Sequence, residues 1–272
     1  MSQRHDLNDL RELMSRLRDP LDGCPWDLQQ TFASIVPHTL EEAYEVADCI
    51  EQQDYPHLEG ELGDLLFQVI FYAQLGKEES KFDFDSIVHT LVSKLIRRHP
   101  HVFPLGTLAS RADDKTDDTE VVSARWEAIK QQERAEKAHK RVLDDVPRAL
   151  PALNRALKLQ KRAAQVGFDW PDLHGVLDKI EEEISELREA VDQGQQADIL
   201  DEMGDLLFAL VNLARHLKVN PDSALRSTNQ KFERRFNHVE DQVEAAGGDW
   251  QQFELAQLDL FWDQAKAKEK GV

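Results

Sequence analysis

A chain of 272 residues with 31% charged side chains and a formal net charge of −19 is long enough for two modest domains. It is too acidic for a general binder of nucleic acid or anionic membrane, since both would repel it; metal cations, or small anions bridged by a cation, suit it better. Cys24 and Cys49 are the only cysteines and neither belongs to a Cys-x-x-Cys pair, which fits a reducing compartment better than a disulfide framework. Residues 1–20 lack an apolar signal core. The most apolar stretch, 62–75, is interrupted by Asp64 and Gln68 and is too short to span a bilayer. A soluble, cytoplasmic protein is expected.

In chain order, Leu7, Leu10, Leu13, Met14 and Leu17 predict a short amphipathic helix. An irregular segment, Asp22-Gly-Cys-Pro-Trp-Asp27, follows. Helices are then expected over about 37–53, 56–75 and 85–98, the last ended by His99-Pro-His-Val-Phe-Pro104 because proline cannot continue a helix. Residues 106–120 carry Asp113, Asp114, Asp117 and Asp118 and read as a polar connector, with a charged helix after it to about 140. The second half repeats the first, with helices over about 151–165, 173–193, 197–217, 221–246 and 250–268. No period-two strand is apparent. The expectation is an all-α protein of two tandem helical bundles, with domains at 1–110 and 146–272 and a charged linker and helix at 111–145.

Four acids occur twice at one spacing. Glu42, Glu45, Glu61 and Asp64 recur as Glu183, Glu186, Glu202 and Asp205, offset by 141 at every position (183 − 42, and so on), and both sets run on into Gly-Asp-Leu-Leu-Phe. Residues three apart share a helix face, so each pair offers two carboxylates to one ion. Two pairs on adjacent antiparallel helices make a carboxylate cage for a hard cation such as Mg²⁺, with Mn²⁺ as a substitute. The bland alternative is a solvated acidic face. Against it, Glu61 and Asp64 fall about 300° and 240° from Leu58 on a helical wheel, beside Leu65 and Phe71 rather than among polar residues. Thr39-Leu-Glu-Glu42 also fits a helix-capping box, but the position matching Thr39 is Ile180, which cannot cap.

Each acid set is followed by a cationic motif: Lys94-Leu-Ile-Arg97-Arg98 and Lys231-Phe-Glu-Arg234-Arg235. Such residues share a face and suit phosphate oxygens, or else interact with the carbonyls of a helix end. Trp126 with Lys130, and Trp262 with Lys266, are a third echo; the tryptophans suit base stacking or core packing. Trp26 and Trp170 precede the acid helices, where they suit a pocket wall or a plug.

Acids ordered Glu-Glu-x-x-Glu and then Glu-x-x-Asp on paired helices resemble the all-α nucleoside triphosphate pyrophosphohydrolases, and among them the tandem-domain MazG family. The first half is similar at Gly23-Cys-Pro-Trp-Asp27, Gln30-Thr31, Thr39-Leu-Glu-Glu-Ala43, Gly60-Glu-Leu-Gly-Asp-Leu-Leu-Phe67 and Arg97-Arg-His-Pro-His-Val-Phe103. The second is similar at Asp145-Val-Pro-Arg-Ala-Leu-Pro-Ala152, Val166-Gly-Phe-Asp-Trp170, Asp201-Glu-Met-Gly-Asp-Leu-Leu-Phe208 and Lys231-Phe-Glu-Arg-Arg-Phe236. The resemblance implies Mg²⁺-assisted conversion of an NTP and water to NMP and pyrophosphate, and commonly a homodimer. It implies that Glu183, Glu186, Glu202 and Asp205 ligate the metal, and that Glu182 and Asp201 adjoin it, one of them orienting or deprotonating the attacking water. Lys231 and Arg235 would then hold phosphates, and Trp262 would face the base near Lys266.

The halves differ where it would matter. Lys179, one turn before Glu183, is matched by His38, and Asp201 by Gly60, so the second half is expected to carry most of the turnover. Two other readings are weighed. A di-iron carboxylate bundle needs Glu-x-x-His on two helices, and neither acid pair has the histidine. A non-catalytic helical adaptor holding a structural ion remains open for the first half.

Overall fold

The structure, a computed structural model, describes residues 4–112, 118–136 and 141–270. Its elements are helices: α1 Leu7–Leu17, α2 Pro25–Gln29, α3 Phe32–Gln52, α4 Tyr55–Glu78, α5 Phe84–Arg98, α6 Thr119–Glu136, α7 Ala152–Gln165, α8 Leu173–Gln193, α9 Gln196–His216, α10 Pro221–Ala245 and α11 Leu255–Lys270, with a 3₁₀ turn at Trp250–Gln252. Among the described residues there is no strand, and no helix is long and apolar enough to cross a membrane. The chain forms two compact units, Met1–Lys137 and Ala138–Val272.

In the first unit, α3 and α4 pack as an antiparallel hairpin, α1 and α5 lie against α4, and α6 lies against α5. Met14, Ile35, Ile70, Phe71 and Leu75 form its buried centre, with Leu10, Phe32, Phe67, Tyr72 and Phe84 around them. In the second unit α8 and α9 make the matching hairpin; α7 packs on α9, α10 on α7 and α9, and α11 on α10. Its centre is smaller, comprising Val176, Ile180 and Ala209 ringed by Ile184, Leu206 and Leu213. Both hairpins turn at one repeat position through a left-handed residue, Gln53 (φ 59°) in the first and Gly194 (φ 72°) in the second.

The expected start of the third helix needs correction. The helix begins at Phe32, five residues before Pro37, because Thr31 and Ser34 form a reciprocal capping box: Thr31 Oγ1 accepts from the Ser34 amide at 3.2 Å and Ser34 Oγ from the Thr31 amide at 2.8 Å. Pro37 is carried inside the helix. Thr39 is therefore no cap; its hydroxyl donates to the Ile35 carbonyl at 3.1 Å and lies 2.9 Å from the Tyr72 hydroxyl. Glu42 is left free of capping duty. The segment read as irregular also contains a helical turn, α2, opened by Pro25 at its first position, where a missing N–H costs nothing.

Candidate active site

Hairpin geometry puts the acid pairs of α8 and α9 face to face. Glu183, Glu186 and Glu202 each present a carboxylate oxygen within 4.8 Å of the other two. Glu183 is only 4% exposed, and its Oε2 is buried with no hydrogen-bond partner. Lys179, one turn earlier on α8, brings Nζ to 2.8 Å from Glu183 Oε1 and 2.9 Å from Glu182 Oε1. Those two carboxylates hold the lysine's pKa well above its ordinary value. Burial, then the charges of Glu186, Glu183, Asp205 and Asp201, push the Glu202 carboxyl upward. A set made only of carboxylate oxygens, one of them buried without a donor, suits a hard cation. Asp205 stands outside the trio of closest oxygens but near enough to act on Glu202, as does Asp201, which is exposed.

The first unit repeats the trio with Glu42, Glu45 and Glu61, again within 4.8 Å, and Asp64 outside it. Burial, followed by the charges of Asp64, Glu45 and Glu61, raises the Glu42 carboxyl. The surroundings differ. Buried Gln68 reaches Glu42 Oε1 through its Nε2 at 3.4 Å. His38, in the place of Lys179, lies 3.7 Å from Glu41 and meets the Trp26 ring edge-on at 5.9 Å. A side chain at Gly60, in the place of Asp201, would enter open space.

A cavity of about 830 Å³ opens beside the second trio, lined by Lys179 and Glu183 of α8, by Asp205 and other residues of α9, by residues of α7, and by Phe168, Asp169 and Trp170 from the α7–α8 loop. Trp170 packs so closely on Gly175 that a Cβ there would lie 2.7 Å from its ring. Ala209 and Asn212 line the cavity; at the matching positions of the first unit stand Gln68, bonded to Glu42, and Phe71, only 1% exposed in the core. Larger side chains thus occupy in one unit the positions that border open space in the other.

The cationic motifs form a separate cluster in each unit. Arg235 donates Nε and Nη2 to Glu269 Oε2 at 2.8 and 2.7 Å, and its guanidinium lies 5.7 Å from the Trp262 ring centre. Trp262 also packs against Phe232 at 5.1 Å, and Lys266 pairs with Asp263 at 2.7 Å. Trp262 therefore sits against α10 and not among the residues of the cavity. Lys231 is half-buried on the same helix and adds its charge to the field that lowers the Glu269 carboxyl, which is set first by the Arg235 hydrogen bonds. In the first unit Arg97 and Arg98 both grip Glu133, at 2.6 and 2.5 Å, and Trp126 faces His99 at 5.9 Å. The side chain of Lys130 lies outside the described residues. The glutamates that restrain the arginines were missed in the sequence, although their signal was there: Trp-x-x-x-Lys-x-x-Glu occurs at 126–133 and again at 262–269.

Comparison with known proteins agrees with this geometry. The model of the MazG nucleotide pyrophosphohydrolase domain matches residues 30–103 and 173–240, the two stretches that carry the hairpins and their acids. The chain is 52% identical to the nucleoside triphosphate pyrophosphohydrolase of Escherichia coli strain K12 over 97% of its own length and 98% of that protein's. It is 41% identical to the nucleoside triphosphate pyrophosphohydrolase/pyrophosphatase MazG of Thermotoga maritima, over 95% and 94%. A nucleoside triphosphate pyrophosphohydrolase of Mycobacterium tuberculosis shares 38% identity over 61% of this chain and 48% of its own. With both acid hairpins inside the matched regions and full-length relatives at this identity, the chain belongs to the MazG family of nucleotide pyrophosphohydrolases.

Proposed function

We propose that the second unit hydrolyses nucleoside triphosphates to nucleoside monophosphate and pyrophosphate with Mg²⁺, and that the first unit contributes little turnover. The observation that carries this reading is Glu183, a buried carboxylate with an orphaned oxygen that belongs to the carboxylate trio and lines the adjoining cavity. Glu183, Glu186 and Glu202 hold the ion, with Asp205 completing the set. Bound there, Mg²⁺ offsets phosphate charge and lowers the pKa of a bound water. Water attacks the α-phosphorus, and the bond from that phosphorus to the α,β-bridging oxygen breaks, so pyrophosphate leaves. Of the two adjoining acids, Asp201 suits the proton-accepting role better, because Glu182 is already engaged by Lys179. Lys179 holds Glu182 and Glu183 in place and stays charged beside the phosphates. Lys231 and Arg235, to which the resemblance gives the phosphates, lie in the separate α10–α11 cluster, where Glu269 holds Arg235.

Three features support the asymmetry: Gln68 and Phe71 occupy positions that border the cavity in the second unit, His38 replaces Lys179, and Gly60 replaces Asp201. The Glu42, Glu45, Glu61 and Asp64 set then serves as an ion site that eases the repulsion inside its hairpin. A homodimer belongs to the same proposal, since α9 exposes Leu200, Met203, Leu207 and Leu210 on one stripe, the kind of face a second copy would cover. A cytoplasmic location is proposed from the two free thiols and the triphosphate substrate. The test is pyrophosphate release from single NTPs with Mg²⁺ by the wild type and by Glu42→Ala and Glu183→Ala. The reading requires loss of roughly a hundredfold or more in Glu183→Ala and near-normal rates in Glu42→Ala. Equal losses would refute the asymmetry, and no release by the wild type would refute the reaction.

A further inference from the structure

Helix α3 carries an apolar face that the first unit does not bury. Its core side, with Phe32, Ile35 and Thr39, packs toward α4. On a wheel at about 100° per residue, Ala33, Val36, Leu40, Ala43, Tyr44 and Ala47 fall within a second arc of about 100° beside that core side. Val36 is 47% exposed, Leu40 48% and Tyr44 43%; Ala33 and Ala43 are exposed as well. Scattered apolar residues on a surface are ordinary, but a contiguous stripe about 21 Å long, at about 1.5 Å per residue, marks an interaction surface. The second unit shows that the hairpin does not require it. At the same repeat positions α8 has His174 for Ala33, Glu181 for Leu40, Ser185 for Tyr44 and Arg188 for Ala47.

Two features say what covers the stripe. The first is relief. Val36, Leu40 and Tyr44, each four residues from the next, form a ridge of large side chains, and Ala43 and Ala47 form a shallow row beside it. A ridge next to such a row accepts the side chains of another helix. The second is charge. The α3 helix has five acids, Glu41, Glu42, Glu45, Asp48 and Glu51, and neither lysine nor arginine. Glu41 and Asp48 are exposed. They stand about 140° and 120° round from Val36, so they border the stripe on the side away from the core. A second copy of the chain would lay one acidic helix on another, and like charges across a contact disfavour it. A helix whose apolar stripe is flanked by lysine or arginine complements both the ridge and the acidic rim. We propose that the outer face of α3 is the docking site for a basic amphipathic helix of a partner protein. Leu40 and Tyr44 belong to neither acid trio, so the proposal stands apart from the hydrolytic reading.

The test is fluorescence anisotropy of a labelled synthetic probe, an amphipathic leucine–lysine helix of about 18 residues, with the full chain at about 0.15 M salt. Leu40→Glu/Tyr44→Ser installs the second unit's own residues. It should weaken probe binding at least about tenfold, roughly what leaving one leucine unburied forfeits, although it adds an acid. Ala47→Arg should do the same by filling the alanine row and repelling the probe. Glu41→Gln/Asp48→Asn should weaken binding about threefold and flatten its salt dependence. A probe of the same composition in scrambled order should bind at least about tenfold more weakly than the ordered one. Undiminished binding to either folded stripe variant, or equal binding of the two probes, would mean attraction to acid alone and overturns the proposal. A wild type that binds neither probe overturns it too. Should Leu40→Glu/Tyr44→Ser lose helix content by circular dichroism, Ala47→Arg decides alone. Sedimentation equilibrium covers the other occupant: self-association that the stripe variants abolish would assign the stripe to a second copy and refute the partner helix.

Discussion

Glu183→Gln should invert the order of thermal stability between metal-free and magnesium-loaded protein. In the wild type without metal, Glu183 keeps a buried, unpartnered Oε2 in a carboxylate trio, and an unmet buried group of this kind costs about 1–3 kcal/mol or more when charged. The substitution neutralises that charge at nearly constant shape and forfeits the Lys179 pair. Lys179 is 37% exposed, so solvent screening holds that pair to about 0.2–1 kcal/mol. The variant without metal should therefore be as stable as the wild type, or more stable by about 1 kcal/mol. Magnesium reverses this. At a concentration of 100 Kd an ion that binds only the folded state stabilises it by about 2.7 kcal/mol. For a unit of this size that corresponds to a Tm rise on the order of 10 °C. The variant, short of its most buried ligand, should gain at most a few degrees at the same concentration. Differential scanning calorimetry of both proteins in EDTA and across a magnesium series measures all four quantities. A variant that melts well below the wild type in EDTA yet gains as much from magnesium would mean that Glu183 is a structural ion-pair partner and holds no metal.

Other consequences are independent of that one. Gln53 and Gly194 close equivalent hairpins in the left-handed region, which costs about 1–2 kcal/mol for a residue with a Cβ. Gln53→Gly should accordingly raise the denaturation free energy by about 0.5–1 kcal/mol, and Gly194→Ala should lower it by about 1 kcal/mol, in urea titrations. The Arg98 and Arg97 hydrogen bonds depress the Glu133 carboxyl from 4.5 to about 2. A depressed acid contributes stability above its unfolded pKa and loses it as pH falls through the folded one. The Tm gap between wild type and Glu133→Gln should thus be constant above about pH 4.5 and close toward pH 2; a gap unchanged across that window would show that Glu133 is not ionised in the pair. Arg18 is buried, paired with Glu78 at 2.6 Å and stacked over Phe71 at 5.4 Å. Arg18→Ala should cost about 3–5 kcal/mol by denaturant unfolding, and a loss below about 1 kcal/mol would show that this pair is solvated.

How much was legible beforehand follows from the range of the interactions involved. Helix positions along the chain were readable because periodicity and proline placement act within one or two turns. The chief boundary error, at α3, arose where two local signals competed: Thr31 with Ser34 and Thr39 with Glu42 both fit a cap, and the first pair won. The carboxylate trios were readable because two pairs at i and i+3 on consecutive helices must meet when a short turn folds the helices together. Glu133 and Glu269 were overlooked, since their role depends on α6 meeting α5 and α11 meeting α10, which pairs side chains 34 to 36 positions apart in the chain.

The sequence by itself determined an all-α chain, its twofold repeat and the eight acids, because helical period and register are local and additive. It also showed the repeats unequal at His38 against Lys179 and at Gly60 against Asp201; only the tertiary structure decided that they differ in the space beside the acids as well. Gln68 and Phe71 against Ala209 and Asn212 are ordinary differences along a helix, until packing shows that the first pair occupies positions which border a cavity in the second unit. The fold likewise decided that Glu183 keeps one oxygen without a partner, since hydrogen-bond satisfaction belongs to the folded neighbourhood and not to any residue in it.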